Sequence, residues 1–159
     1  MSKNNIWVSN TSPLIFLSHI DRLDILCSLA QIWIPKAVLE EITDQKTASN
    51  VKKAYDSGKI LVKSVGKMID AKIDMGEKAA ISLAIETQPE RILLDDDKAR
   101  RIARRYSLNP LGTLGLLLAG KQAGLIPAVR PEIDKLLSLD RPIRATPELI
   151  EAILKEAGE

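Results

Sequence analysis

Four short segments of this chain place oxygen ligands where a strand or helix should end: VSNTSPLI from Val8, VLEEI from Val38, MGEKAAISLA from Met75 and RILLDDDKAR from Arg91. Each supplies a carboxylate or its amide analogue. Magnesium and manganese take such oxygens as ligands. Acids gathered at the mouth of a parallel sheet can hold the ion against a phosphodiester, where it activates water and offsets charge in the transition state. The pattern therefore points to a nuclease dependent on Mg2+ or Mn2+. One position departs from that chemistry: the first ligand is Asn10, which offers an oxygen but no charge.

Each segment also has a plainer reading. Asn10 follows a strand and precedes a helix, so it suits an Asx turn as well as a metal. In VLEEI, Val38 and Ile42 lie one turn apart and face the core. Glu41 is nearer that face than Glu40 and is the preferred ligand, although a solvated helix face accounts for both. Glu77 precedes the apolar stripe of Ala80, Ile81 and Ala84 and projects from the top of a buried face. The run Asp74-Met75-Gly76-Glu77 also matches a capping box, and the two roles are compatible. Asp95, Asp96 and Asp97 follow the apolar run ILL. A helix start needs one capping aspartate, whereas three adjacent carboxylates repel one another, and a divalent cation is the simplest offset.

Beyond them, Lys98, Arg100, Arg101, Arg104 and Arg105 form a basic helix. Arg100, Arg101 and Arg104 are candidate phosphate contacts, with a solvated, salt-bridged face as the alternative. Thr113 either caps its helix or meets a ligand, and its surroundings lack the lysine and spacing of a P-loop. Other chemistries have little support. His19 is the single histidine, so a multi-histidine zinc site or a histidine-based hydrolase is hard to build. Ser9, Ser12 and Ser18 have no base arranged beside them.

The elements that must position these residues alternate. Strands are predicted at 6–9, 31–34, 60–65 and 91–94, with a short strand or turn at Leu111. Thr11, Ser12 and Pro13 supply a hydroxyl cap and a first-turn proline for a helical stretch over 14–30, broken near Asp21. Further helices are predicted after Pro35, over 47–57, over Met75–Thr87, over 98–106 with Ala99, Ile102, Ala103 and Tyr106 turned inward, over 113–123, and near 131–139 and 147–157. Strands separated by helices imply a three-layer α/β/α sandwich on a central parallel sheet. Ligands bind such sheets outside the carboxyl ends of the strands, where Asn10 and Asp95 to Asp97 fall.

A length of 159 residues fits one domain, 1–159, with C-terminal helices from about residue 130 packing on it. The net charge of +2 is too small to announce nucleic acid by itself, and 3% aromatic residues argue against a surface that binds by stacking many bases. Cys27 is the single cysteine and reads as an inert thiol in a reducing compartment. No signal peptide and no membrane-length apolar run are seen, so a cytoplasmic protein is expected. Leu149, Ile150, Ile153 and Leu154 either close the core or support a homodimer, with core closure preferred.

In this order and at these intervals, VSNTSPLI, the proline-led VLEEI, GEKAAISLA, LLDDDKARRIA and GTLGLLLAGKQAGLI resemble the PIN-domain family of metal-dependent ribonucleases, in a prokaryotic branch. The resemblance covers nearly the whole chain. It implies an α/β/α sandwich whose acids coordinate magnesium or manganese for RNA cleavage, with Asn10, Glu41, Glu77 and Asp96 at the acidic positions and Asp95 as a substitute for Asp96. It also implies an RNA substrate and, as many relatives are toxins, a small antitoxin protein as partner. Asn10 stands where the broader family has aspartate, so a catalytically silent module that binds RNA or a partner protein is the alternative. A phosphoacceptor receiver domain fits less well, because it needs acids after the first strand.

Overall fold

The computed structural model describes residues 5–159, so the first four positions of the expected 1–159 domain lie outside the described residues. Five strands, β1 (Ile6–Ser9), β2 (Gln31–Pro35), β3 (Ile60–Lys63), β4 (Arg91–Leu93) and β5 (Pro110–Leu111), form a sheet of order β3-β2-β1-β4-β5. Every pairing is parallel. The strand order reverses at β1, with β2 and β3 on one side and β4 and β5 on the other. The crevice at such a reversal, beyond the carboxyl ends of β1 and β4, is where doubly wound sheets bind ligands. Ser9 pairs with Leu93, and the Asn10 N–H donates to the Leu93 carbonyl at 3.1 Å. The chain thus leaves both strands side by side, bringing Asn10 next to the start of the aspartate run.

Strand side chains alternate between faces, and here the alternation divides two apolar cores. Trp7, Ile32, Ile34 and Leu93 pack on one face with α1 (Thr11–His19), α2 (Leu23–Leu29), α3 (Lys36–Glu41), α4 (Gln45–Asp56) and α7 (Thr113–Gln122). Val8, Ile92 and Leu94 pack on the other with α5 (Met75–Thr87) and α6 (Asp97–Arg105). The result is the α/β/α sandwich. On the first face, α8 (Arg130–Leu137) and α9 (Pro147–Glu156) contribute Ile133, Leu136 and Leu154 to the same core. Ile150 and Ile153 are half-buried against it, while Leu149 stays exposed.

Several boundaries differ from the sequence reading for local reasons. α1 starts at Thr11 with Pro13 in its first turn, where no N–H is needed, but the expected hydroxyl cap is not made: the N-cap residue is Asn10 and no side chain caps the helix. The break near Asp21 is a left-handed residue, φ 59°. α4 starts at Gln45 rather than Thr47, because the Asp44 carboxylate accepts the Thr47 N–H at 2.9 Å. β3 stops at Lys63, two residues short. Tyr106, which helical spacing turns inward, is instead 44% exposed: α6 ends at Arg105, and the chain turns away through Ser107 at φ 60°. Cys27 is half-buried, and burial pushes its thiol up to about 11, which keeps it unreactive near neutrality. Among the described residues no helix is long and apolar enough to cross a membrane.

Candidate functional site

Asn10 occupies the N-cap position of α1 in extended backbone, yet its side chain makes no capping bond. It is 4% exposed, and its Oδ1 is buried without a hydrogen-bond partner. The Asx turn open to this residue is therefore not formed through that oxygen. A buried carbonyl oxygen costs about 1–3 kcal/mol if nothing satisfies it, so an oxygen without a protein donor is suited to a ligand.

Glu41 ends α3 and reaches toward the same crevice. The Thr11 hydroxyl, adjacent to Asn10 in the chain, donates to Glu41 Oε1 at 3.0 Å. On its other side lies Gly76, in the first turn of α5. A Cβ on Gly76 would lie 1.8 Å from Glu41 Oε1 and 2.7 Å from its Cδ, so the absence of a side chain makes the room this carboxylate uses. Glu40, by contrast, pairs loosely with Lys36 at 4.0 Å on the exposed face of the helix. Gly76→Ala is accordingly expected to fold with little or no loss of stability, since alanine favours a helix by roughly 0.5–1 kcal/mol and the colliding atom ends a flexible side chain. Glu41 must then move. Thermal melts alongside metal titration check this, and unchanged metal affinity would remove Glu41 from the site.

Glu77 fulfils the capping box: its N–H donates to Asp74 Oδ1 at 2.8 Å, and its Oε1 accepts the Asp74 N–H at 3.4 Å. It is 7% exposed. Burial, then the nearby carboxylates of Asp74 and Asp96, pushes its carboxyl up to about 7. Asp96, at the start of α6, is thus close enough for its charge to act on Glu77.

The three aspartates divide the work. Asp96 is exposed and caps α6, its Oδ2 accepting the Ala99 N–H at 2.9 Å. Asp97, also exposed, pairs with Arg100. Asp95 turns to the start of α7, where it accepts the Thr113 N–H at 2.7 Å and the Thr113 hydroxyl at 2.8 Å. Burial raises the pKa of Asp95, while both Thr113 bonds and the Arg100 charge oppose that rise. Thr113 does not occupy the cap, which is Gly112, and its hydroxyl is committed to Asp95. Arg100 folds back to donate to the carbonyls of Leu94 and Asp95 at 3.1 and 3.0 Å. It braces the β4–α6 turn instead of reaching outward. Arg101 and Arg104 are exposed on α6.

The contacts run as a chain: Thr11, next to Asn10, bonds Glu41, Glu41 lies against Gly76, next to Glu77, and the Asp96 charge acts on Glu77, while Asp95, Thr113 and Arg100 hold the β4–α6 turn. Among the described residues, no three histidine, cysteine, aspartate or glutamate side chains form a ready-made metal-binding group. The member that links β1 to the acids is an amide. Its partnerless oxygen still fits a hard divalent cation.

Sequence reasoning missed a groove of about 1570 Å3 that meets this site at Ser12, Asp95 and Asp96 and runs to the loop 138–146. That loop carries Arg141 and Arg144 but no motif. Its only sequence signal is the pair of arginines flanking Pro142 and Ile143.

No protein among those with curated functions matches this sequence. A solved structure of similar fold is a PilT N-terminus domain protein from the hyperthermophilic archaeon Sulfolobus solfataricus P2, with a TM-score of 0.52 at 15% identity, covering 72% of this chain and 92% of that one. At that identity the likeness speaks for the fold alone. A family model described as PIN domain matches residues 6–159, from the first strand to the last residue, so the chain belongs to the PIN-domain family.

Proposed function

We propose that this protein is a Mg2+- or Mn2+-dependent ribonuclease acting at the β1–β4 crevice. The observation that carries the reading is the buried, partnerless Oδ1 of Asn10, next in the chain to Thr11, which bonds Glu41. Asn10, Glu41, Glu77 and Asp96 would hold the cation. When bound, such an ion supplies an activated water and stabilises charge on the scissile phosphate. The protein's part is orientation. Thr11 aims Glu41, the Asp74 cap fixes Glu77, and the Ala99 N–H fixes Asp96. With its carboxyl titrating near 7, Glu77 is only partly ionised at neutral pH, and a bound cation would favour its ionised form. A role as the toxin of a toxin–antitoxin pair, with a small antitoxin as partner, rests on family resemblance.

The test is cleavage of a mixed RNA substrate with manganese, magnesium or chelator. Cutting that chelator stops is the expected result. In Asn10→Asp the added charge should tighten metal binding by roughly an order of magnitude, because ligand charge count tunes divalent-ion affinity. Among the described residues no ready-made group of three metal-binding side chains forms, which favours a second reading, a silent module that binds RNA or a protein without cutting. Calorimetric titration separates the two: no heat with either metal, and cutting only after Asn10→Asp, would leave the silent module.

A further inference from the structure

The groove of about 1570 Å3 that reaches Asp95 and Asp96 takes much of its lining from residues 138–146, between α8 and α9, and from Leu149 in the first turn of α9. How firmly that stretch is held therefore sets how open the groove is beside the acids. Its two ends are anchored differently. α8 is fixed: Ile133 and Leu136 lie in the core, and the buried Glu132 accepts bonds from Arg22 at 2.9 and 3.3 Å and from Lys135 at 3.3 Å. From Leu139 onward the hold is thin. Ile143 and Leu154 are the buried side chains there, each 7% exposed, while Ile150, Ile153 and Ala157 are half-buried against the core.

The polar ties of this stretch converge on one point. The Ile143 N–H donates to the Leu136 carbonyl at 3.3 Å; the other hydrogen bonds from 139–159 to the rest of the described residues end at Ala157 and Glu159. Glu159 Oε2 accepts the Val129 N–H at 2.7 Å and the Lys121 ammonium at 3.0 Å, and Oε1 accepts the Arg130 N–H at 3.0 Å. Lys121 also donates to the Ala157 carbonyl. Glu159 thus supplies from a distance the cap that no side chain at the start of α8 provides. Bonds to an ionised group are about twice as strong as neutral ones. The Val129 and Arg130 N–H groups, then Lys121, hold the Glu159 carboxyl down to about 2, so it is ionised throughout the neutral range.

We propose that Glu159 is the clasp of a hinged flap, formed by residues 139–146 and α9, whose release opens the groove beside the acids while the rest of the fold stays intact. The hinge lies at Ser138, where α8 ends. Segments with few buried apolar side chains open locally at a lower free energy than the core, and here one carboxylate supplies much of the polar hold. The flap governs access to the crevice whatever reaction takes place there.

Amide hydrogen–deuterium exchange of the full chain, natural and Glu159→Ala, tests the flap. Exchange across 139–157 should quicken by about tenfold or more, while β1, β4, α5 and residues 133–137 of α8 keep their natural rates. Trypsin should nick the variant faster after Arg144, in step with the exchange; the bond after Arg141 precedes Pro142 and resists it. Glu159→Gln keeps an acceptor oxygen without the charge and should fall between the two. Glu86→Ala is the control. That carboxylate also accepts two loop N–H groups, from Gly66 at 2.7 Å and Lys67 at 2.8 Å, but it belongs to α5 on the other face of the sheet. It should leave 139–157 unchanged. Natural exchange rates across 139–157 in Glu159→Ala would overturn the proposal. So would a rise spread evenly over the whole chain, or an equal rise in Glu86→Ala, either of which makes Glu159 a general stabilising residue and not a clasp.

Discussion

Asp96→Asn is expected to lower metal-dependent RNA cleavage by at least about a hundredfold while leaving the melting temperature nearly unchanged. Asparagine caps a helix about as well as aspartate, so the bond to the Ala99 N–H and the start of α6 survive. What disappears is one charge beside Glu77, at the point where the crevice meets the groove. Loss of partners that merely support a metal ligand costs about 10–100-fold, and loss of a ligand's charge should cost at least as much. Cleavage near the natural rate would remove Asp96 from the site. A large fall in melting temperature would instead make its role structural.

Glu77→Gln should stabilise the metal-free protein above neutral pH and change little below pH 4.5. In the folded chain its carboxyl titrates near 7, above its ordinary value of 4.5. Below 4.5 the folded and unfolded chains both keep the proton, and no penalty applies. As pH rises through the window from 4.5 to 7, the unfolded chain releases its proton first, so stability is lost, fully so above 7. The difference corresponds to about 3 kcal/mol, and about 2 kcal/mol after allowing for solvent screening at the mouth of the site. Glutamine keeps the oxygen that accepts the Asp74 N–H but never ionises. At pH 8 the variant should therefore melt roughly 4–8 °C higher than the natural protein, and the two curves should converge near pH 4. Magnesium or manganese should narrow the gap by stabilising the natural protein more than the variant. Parallel melting curves at all pH values would show that Glu77 is not held among buried and acidic neighbours.

What the sequence could reveal here is what short-range rules control. Strand–helix alternation implied a parallel three-layer sheet. The spacing of Asp74 and Glu77 announced a capping box, which formed. An aspartate after ILL had to cap α6, and one does. Helix periodicity turned Val38 to the core, where it is fully buried. Each of these depends on residues within about one helical turn of each other, so one-dimensional spacing carries the information.

The division of labour among identical acids was decided only by the tertiary structure. Asp95, Asp96 and Asp97 are equivalent in any local pattern. Thr113, eighteen residues on, claims Asp95 and leaves Asp96 beside Glu77. Gly76 reads as an ordinary first-turn residue until the end of α3 is packed against it and Glu41 fills the space where a Cβ would be. Arg100 reads as an outward contact until the β4–α6 turn offers it two carbonyls. The orphaned oxygen of Asn10 and the groove closed by Arg141 and Arg144 have no sequence signature, because burial and a shared cavity are relations between distant segments. Local hydrogen bonding and periodicity shaped the elements; long-range packing at the point where the strand order reverses determined which oxygens face one another.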